Sequence, residues 1–190
     1  MNLRSIAIGT GMVLTLSLAI VPVTTGQAGP EAFTATATVT TAGGAAATAH
    51  VAVAVDRIMP ESEVARFLAA FTSGGPPALR KSLTGVPPTG SIRIGTGKAT
   101  PTRLTLERVT DKGRLLTMVT DTPILFLGAG LPDAKPKSGY DFGIIDIEVD
   151  QAGRGSGTLA PAAKVTVKQG VFVVDDYGAE LIRLTGVKRK

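Results

Sequence analysis

Polar and leucine positions take turns along residues 103–107, where Arg103, Thr105 and Glu107 alternate with Leu104 and Leu106. A period of two puts the leucines on one face of a strand and the polar trio on the other. Asp111-Lys112-Gly113 then supplies a turn: aspartate favours turn entry, and glycine takes the positive φ that a short hairpin loop requires. The return strand, residues 114–120, carries Leu115, Leu116, Met118 and Val119 and is apolar on both faces, as a central strand should be. Asp121-Thr122-Pro123 breaks it, and the apolar run 124–127 reads as a third, buried strand. These segments predict an antiparallel meander.

The same period recurs along most of the chain. Thr34, Thr36, Thr38 and Thr40 share one face of residues 32–41, with Ala35, Ala37 and Val39 on the other. After the turn Ala42-Gly43-Gly44, Val51, Val53 and Val55 alternate with His50, Ala52 and Ala54. Residues 91–98, 158–168, 171–174 and 180–187 read as further strands, and residues 151–157 as a glycine-rich turn. Pro161 marks an edge or a bulge. Residues 140–150 form the strongest strand: Tyr140, Phe142, Ile144, Asp146, Glu148 and Asp150 share one face, and Ile145, Ile147 and Val149 the other.

The period changes once. Val64, Phe67, Leu68 and Phe71 stand at i, i+3, i+4 and i+7, an apolar helical stripe. Pro60 suits the first turn, and Glu61 and Glu63 complement the N-terminal dipole. Gly74-Gly75 and Pro76-Pro77 stop this helix, and residues 77–85 form a second short one. The expected fold is mainly β. It is a single antiparallel β-barrel or β-sandwich domain over residues 29–190, with a helical insertion at about residues 60–85 capping one end of the sheet and a short basic C-terminal tail.

Residues 1–28 are read as a secretory signal peptide. Arg4 forms a basic start, residues 6–21 an apolar run, and Gly26-Gln27-Ala28 a small-residue cleavage signal, so the mature chain is expected to begin at Gly29. That implies a periplasmic or extracellular location, with no transmembrane span after cleavage. Composition narrows the chemistry. Hydrophobic residues make up 44% and aromatics 4%, so the core must be built from aliphatic side chains. With no cysteine, disulfides and thiolate metal sites are excluded. The chain has 20 basic and 15 acidic residues. Three of the basic ones are Lys188-Arg189-Lys190, so the body is almost neutral and no nucleic-acid partner is expected. Basic side chains crowd residues 80–137 and acidic ones residues 138–180, a segregation best explained by pairing across neighbouring strands.

No catalytic constellation emerges. His50 is the only histidine, and no G-x-S-x-G elbow exists to use it. Gly95-Thr96-Gly97-Lys98 and Gly153-Arg154-Gly155-Ser156-Gly157 lack the context of phosphate or dinucleotide loops and read as hairpin loops. The aliphatic faces Leu104/Leu106 and Ile145/Ile147/Val149 are expected to meet in the core, turning Asp146, Glu148 and Asp150 outward. Tyr140, Phe142 and Ile144 lie on that same outward side. The first half of the strand should therefore be covered, by the loop of residues 128–139 or by a partner, and its second half wet. Tyr140, Phe142, Asp146 and Glu148 are the ligand-binding candidates; no catalytic residue, metal ligand or cofactor is expected. The reading is an exported β-rich binding or structural module, without enzymatic activity, for an apolar small molecule or a protein partner. The alternative is a secreted hydrolase or cation-dependent domain using the carboxylates of residues 146–150.

Overall fold

The computed structural model describes residues 29–40, 46–124, 138–168, 171–177 and 181–190. The signal segment 1–28, residues 125–127 of the expected third meander strand and residues 128–137 of the long loop lie outside the described residues.

The strands are β1 (Glu31–Thr40), β2 (Ala46–Val55), β3 (Gly90–Ile94), β4 (Thr100–Thr102) and β5 (Leu104–Thr110), then β6 (Gly113–Val119), β7 (Phe142–Val149), β8 (Arg154–Lys168), β9 (Val171–Tyr177) and β10 (Ile182–Arg189). Helix α1 (Glu61–Thr84) joins β2 to β3. The fold is mainly β, as the alternation requires. The expected second glycine-rich loop is shorter than read: residues 151–153 turn, and Arg154 already belongs to β8.

All the described strands join one antiparallel sheet in the order β4-β3-β2-β1-β10-β8-β7-β6-β5, with β9 paired to the far end of β8. The sheet is not closed into a barrel. Its terminal strands β4 and β5 are consecutive in the chain, joined through Arg103. At this corner the Thr89 hydroxyl lies 2.8 Å from that of Thr105 and 3.3 Å from that of Thr102, so the buried threonines satisfy one another.

The sheet curls on itself. Phe33, Val53 and Ile92 from one end share a cluster with Leu116, Ile145 and Ile147 from the other. At about 4.8 Å per strand, β2 and β7 would stand about 19 Å apart in a flat sheet, so only curvature brings their side chains together. The threonine and valine alternations hold: Ala35, Ala37, Val51, Val53 and Val55 are buried, and Thr36, Thr48 and His50 are exposed. Pro161 sits in a register shift between β7 and β8, a bulge. Its carbonyl accepts the Ile124 N–H at 2.8 Å.

A second cluster lies on the opposite side of β5–β8, under the helix: Phe67, Leu79, Leu83, Leu104, Val119, Phe142, Ile144, Ala160 and Ala163. The expectation that Leu104/Leu106 meet Ile145/Ile147/Val149 is therefore corrected. Leu104 stands opposite Val119, and Val119 opposite Ile144; Leu106 stands opposite Thr117, and Thr117 opposite Asp146. The two leucines thus share the face of the carboxylates, and Thr105 turns inward. Its burial is tolerated because it is hydrogen-bonded at the corner; Glu107, exposed, accepts from Arg114 at 3.0 Å. Arg114 also donates to Glu31, and Glu31 pairs with Arg189 at 3.5 Å, so the network ties β5, β6, β1 and β10 together.

Candidate functional site

Helix α1 is two helical pieces joined where Gly75 takes φ 64° and ψ −158°. A side chain rarely adopts that conformation, so glycine is what lets Pro76-Pro77 open the second piece. The first piece is anchored at its start. Arg57 donates to both oxygens of Glu63 at 3.2 Å, and the Met59 N–H donates to the Thr105 carbonyl at 2.8 Å. Phe67 is fully buried and Phe71 half-buried, its ring edge-on to Phe172 of β9 with centroids 6.0 Å apart. The stripe read from the sequence therefore packs on the outer sheet face instead of capping an end.

Between the helix and that face runs a groove of about 820 Å³. Its helix wall is Val64, Ala65, Leu68, Leu79 and Leu83; its floor is Leu104, Leu106, Leu115, Val119 and Ile144, with Val165, Phe172 and Val174 at the β8–β9 side. Three polar groups face into it from the sheet: Thr117, Asp146 and Arg108. Glu61 and Glu107 stand at its edges.

Asp146 is the partly buried polar group at the floor. The Thr117 hydroxyl, its partner across β6 and β7, donates to its Oδ1. Burial pushes the Asp146 carboxyl above the usual carboxylate range, against the opposing pull of the Thr117 hydrogen bond and the positive charge of Arg108. Glu148, one pleat further, is held below the usual range by the Thr110 hydroxyl and the Lys112 ammonium, the latter 3.2 Å away. The two neighbouring carboxylates are thus driven in opposite directions by their surroundings.

The four sequence candidates separate. Asp146 lines the groove. Phe142 is fully buried in the cluster beneath the helix, and Tyr140 is buried; neither lines the groove. Glu148 lies outside it, paired with Lys112. The first half of β7 is covered, as read, but the described cover is helix α1. The second half is not simply wet, because Asp146 is partly buried. Asp150 accepts the Arg154 N–H at 2.9 Å in its turn. Among the described residues, no group of three histidine, cysteine or carboxylate side chains could hold a metal ion. No family model, curated protein or solved structure matches this chain.

Arg108, Thr117, Ala65, Leu79 and Leu83 were not singled out from the sequence, and Val64 and Leu68 were read there only as part of the helical stripe. The hairpin turn does contain part of the signal: a two-residue loop at Asp111-Lys112 sets Thr110 opposite Gly113 and thereby Leu106 opposite Thr117. That Asp146 is the next residue in this row depends on the pairing of β6 with β7, which no local pattern encodes.

Proposed function

We propose that this chain is an exported, non-enzymatic binding module that holds an apolar small molecule between α1 and the β5–β6–β7 face. The observation that carries this reading is the groove itself. It has about 820 Å³ of space, an aliphatic lining and a few polar groups. Ligand pockets span about 300–1,000 Å³ and show this combination of apolar walls with a small number of placed polar groups. A concave site of this size favours a small molecule over a protein partner. The hydrolase or cation-dependent alternative draws less support, because Asp146, Glu148 and Asp150 are each engaged separately, by Thr117, Lys112 and the Arg154 backbone. Export rests on the basic start, apolar run and small-residue signal of residues 1–28.

The test is native mass spectrometry of the purified protein, together with titration of the naphthylamine dye N-phenyl-1-naphthylamine, whose fluorescence rises in apolar sites. Saturable dye binding is expected in the wild type, and its loss in Ala65→Trp, which fills the groove from the helix side. If neither a co-purified molecule nor saturable dye binding is found, the ligand reading fails and a structural module remains. N-terminal sequencing of exported material should begin at Gly29; material still carrying Met1 would refute cleavage.

A further inference from the structure

Outside the part covered by α1, the outer sheet face is built from small polar side chains and cations. The strand registers align one row across five strands: Arg93 opposite Ala52, Ala52 opposite Thr34, Thr34 opposite Lys188, and Lys188 opposite Arg154. Partners in register point to the same side, and the exposure of Arg93, Lys188 and Arg154 agrees. A second row sets Thr38 opposite Arg183 and Arg183 opposite Thr158, and Thr158 in turn faces Asp146. This row runs from the cationic face to the mouth of the groove.

None of Arg93, Arg154, Arg183 and Lys188 forms a side-chain ion pair with another described residue. Within β3, β2, β1 and β10 the described residues on the same side are Ser91, Ala54, His50, Thr36 and Thr185, none of them acidic; the exposed Asp56 stands just beyond the end of β2. Of the carboxylates bordering these rows, Glu148 is paired with Lys112, Asp146 accepts from the Thr117 hydroxyl and Asp150 from the Arg154 N–H. Arg189, by contrast, is drawn off to Glu31. Among the described residues, cations therefore gather along the middle of this face, with the carboxylates Asp56, Asp146, Glu148 and Asp150 at its borders.

We infer that this face docks on the anionic head groups of a membrane surface. Charge complementarity supplies the attraction. The Ala and Thr side chains between the cations are short, so a head-group layer can approach the whole row, which spans about 19 Å. No large apolar side chain projects from these rows, so the contact is peripheral and salt-sensitive rather than inserted. Among the described residues no helix is long and apolar enough to cross a membrane. A nucleic acid is the weaker partner, because no aromatic side chain stands in these rows to stack a base. The inference is independent of what the groove holds: vesicle binding and dye binding can each fail while the other persists.

The test is co-sedimentation of the full chain with vesicles of mixed phosphatidylglycerol and phosphatidylcholine, against vesicles of phosphatidylcholine alone. The wild type should partition to the anionic vesicles and be released by salt. Each cation near the surface is worth roughly fivefold in partitioning. The fourfold variant Arg93→Gln, Arg154→Gln, Arg183→Gln, Lys188→Gln should therefore lose about two orders of magnitude or more. A companion variant with the three arginines changed to lysine should retain binding, and the thermal melts of both should match the wild type. Equal partitioning of wild type and glutamine variant, or equal partitioning to the two kinds of vesicle, overturns the inference. So does tighter binding to duplex DNA than to anionic vesicles, which would assign the face to a nucleic acid.

Discussion

Phe67→Ala tests whether the helix is an integral part of the fold. Phe67 is 0% exposed and packs in the cluster formed by α1, β5, β6, β7 and β8. Burying a phenylalanine side chain contributes up to about 3 kcal/mol from transfer alone. Truncation also leaves a cavity that the rigid sheet beneath cannot collapse to fill, so the expected loss is about 3–5 kcal/mol. For a domain of this size that corresponds to a fall in Tm of about 6–20 °C. Both clusters draw on adjacent residues of β7, Ile144 on the helix side and Ile145 on the other. Loosening the helix side therefore strips one face of a strand shared with the main core, and unfolding should remain a single transition. Urea denaturation followed by circular dichroism is the assay, with the midpoint falling and the slope unchanged. A loss below about 1 kcal/mol, or a separate early transition confined to helical signal, would refute the reasoning, because the helix would then be an appendage and the groove no fixed site.

Asp146→Asn and Glu148→Gln should shift pH-dependent stability in opposite directions. The folded-state pKa of Asp146 is raised, so its stabilising contribution is present below the unfolded value and lost as pH rises through the folded one; relative to Asp146→Asn, the wild type should weaken with rising pH. Glu148 is lowered, so its contribution is present above the unfolded value and lost as pH falls through the folded one; Glu148→Gln should flatten the acid limb. Parallel denaturation series from acid to neutral pH check both, and identical profiles for the two variants would contradict them. Arg114→Ala should cost about 1–2 kcal/mol, since it removes the charge-assisted hydrogen bonds of half-buried Glu31 and exposed Glu107; an unchanged melting temperature would mean that water replaces the guanidinium freely. Gly157→Ala should destabilise strongly, because its Cβ would stand 2.3 Å from the Asp146 carbonyl oxygen; a melt matching the wild type would show that β8 can move away from β7.

The periodicities determined a good deal by themselves. A period of two depends only on the pleat, so which residues share a face was legible for residues 32–38, 47–55 and 142–149, and the change of period at Val64, Phe67, Leu68 and Phe71 marked helix α1. The breaks at Gly75 and Pro161 were legible for the same reason, since glycine and proline act on their own backbone. What those patterns do not contain is which face meets which. Leu104 and Leu106 share a face in any register, but the sheet curls and is covered on its outer side by α1, so it has two buried sides, and only the pairing of β6 with β7 assigns the leucines to the helix side. Asp146 shows the same division. Its face followed from the alternation with Ile145 and Ile147. Its burial and its place in a groove with Thr117 and Arg108 follow from a helix more than sixty residues earlier in the chain packing back over the sheet. Local sterics decide alternation residue by residue, whereas curvature and layer packing are set by the summed burial of the whole chain, and that sum exists only in the folded molecule.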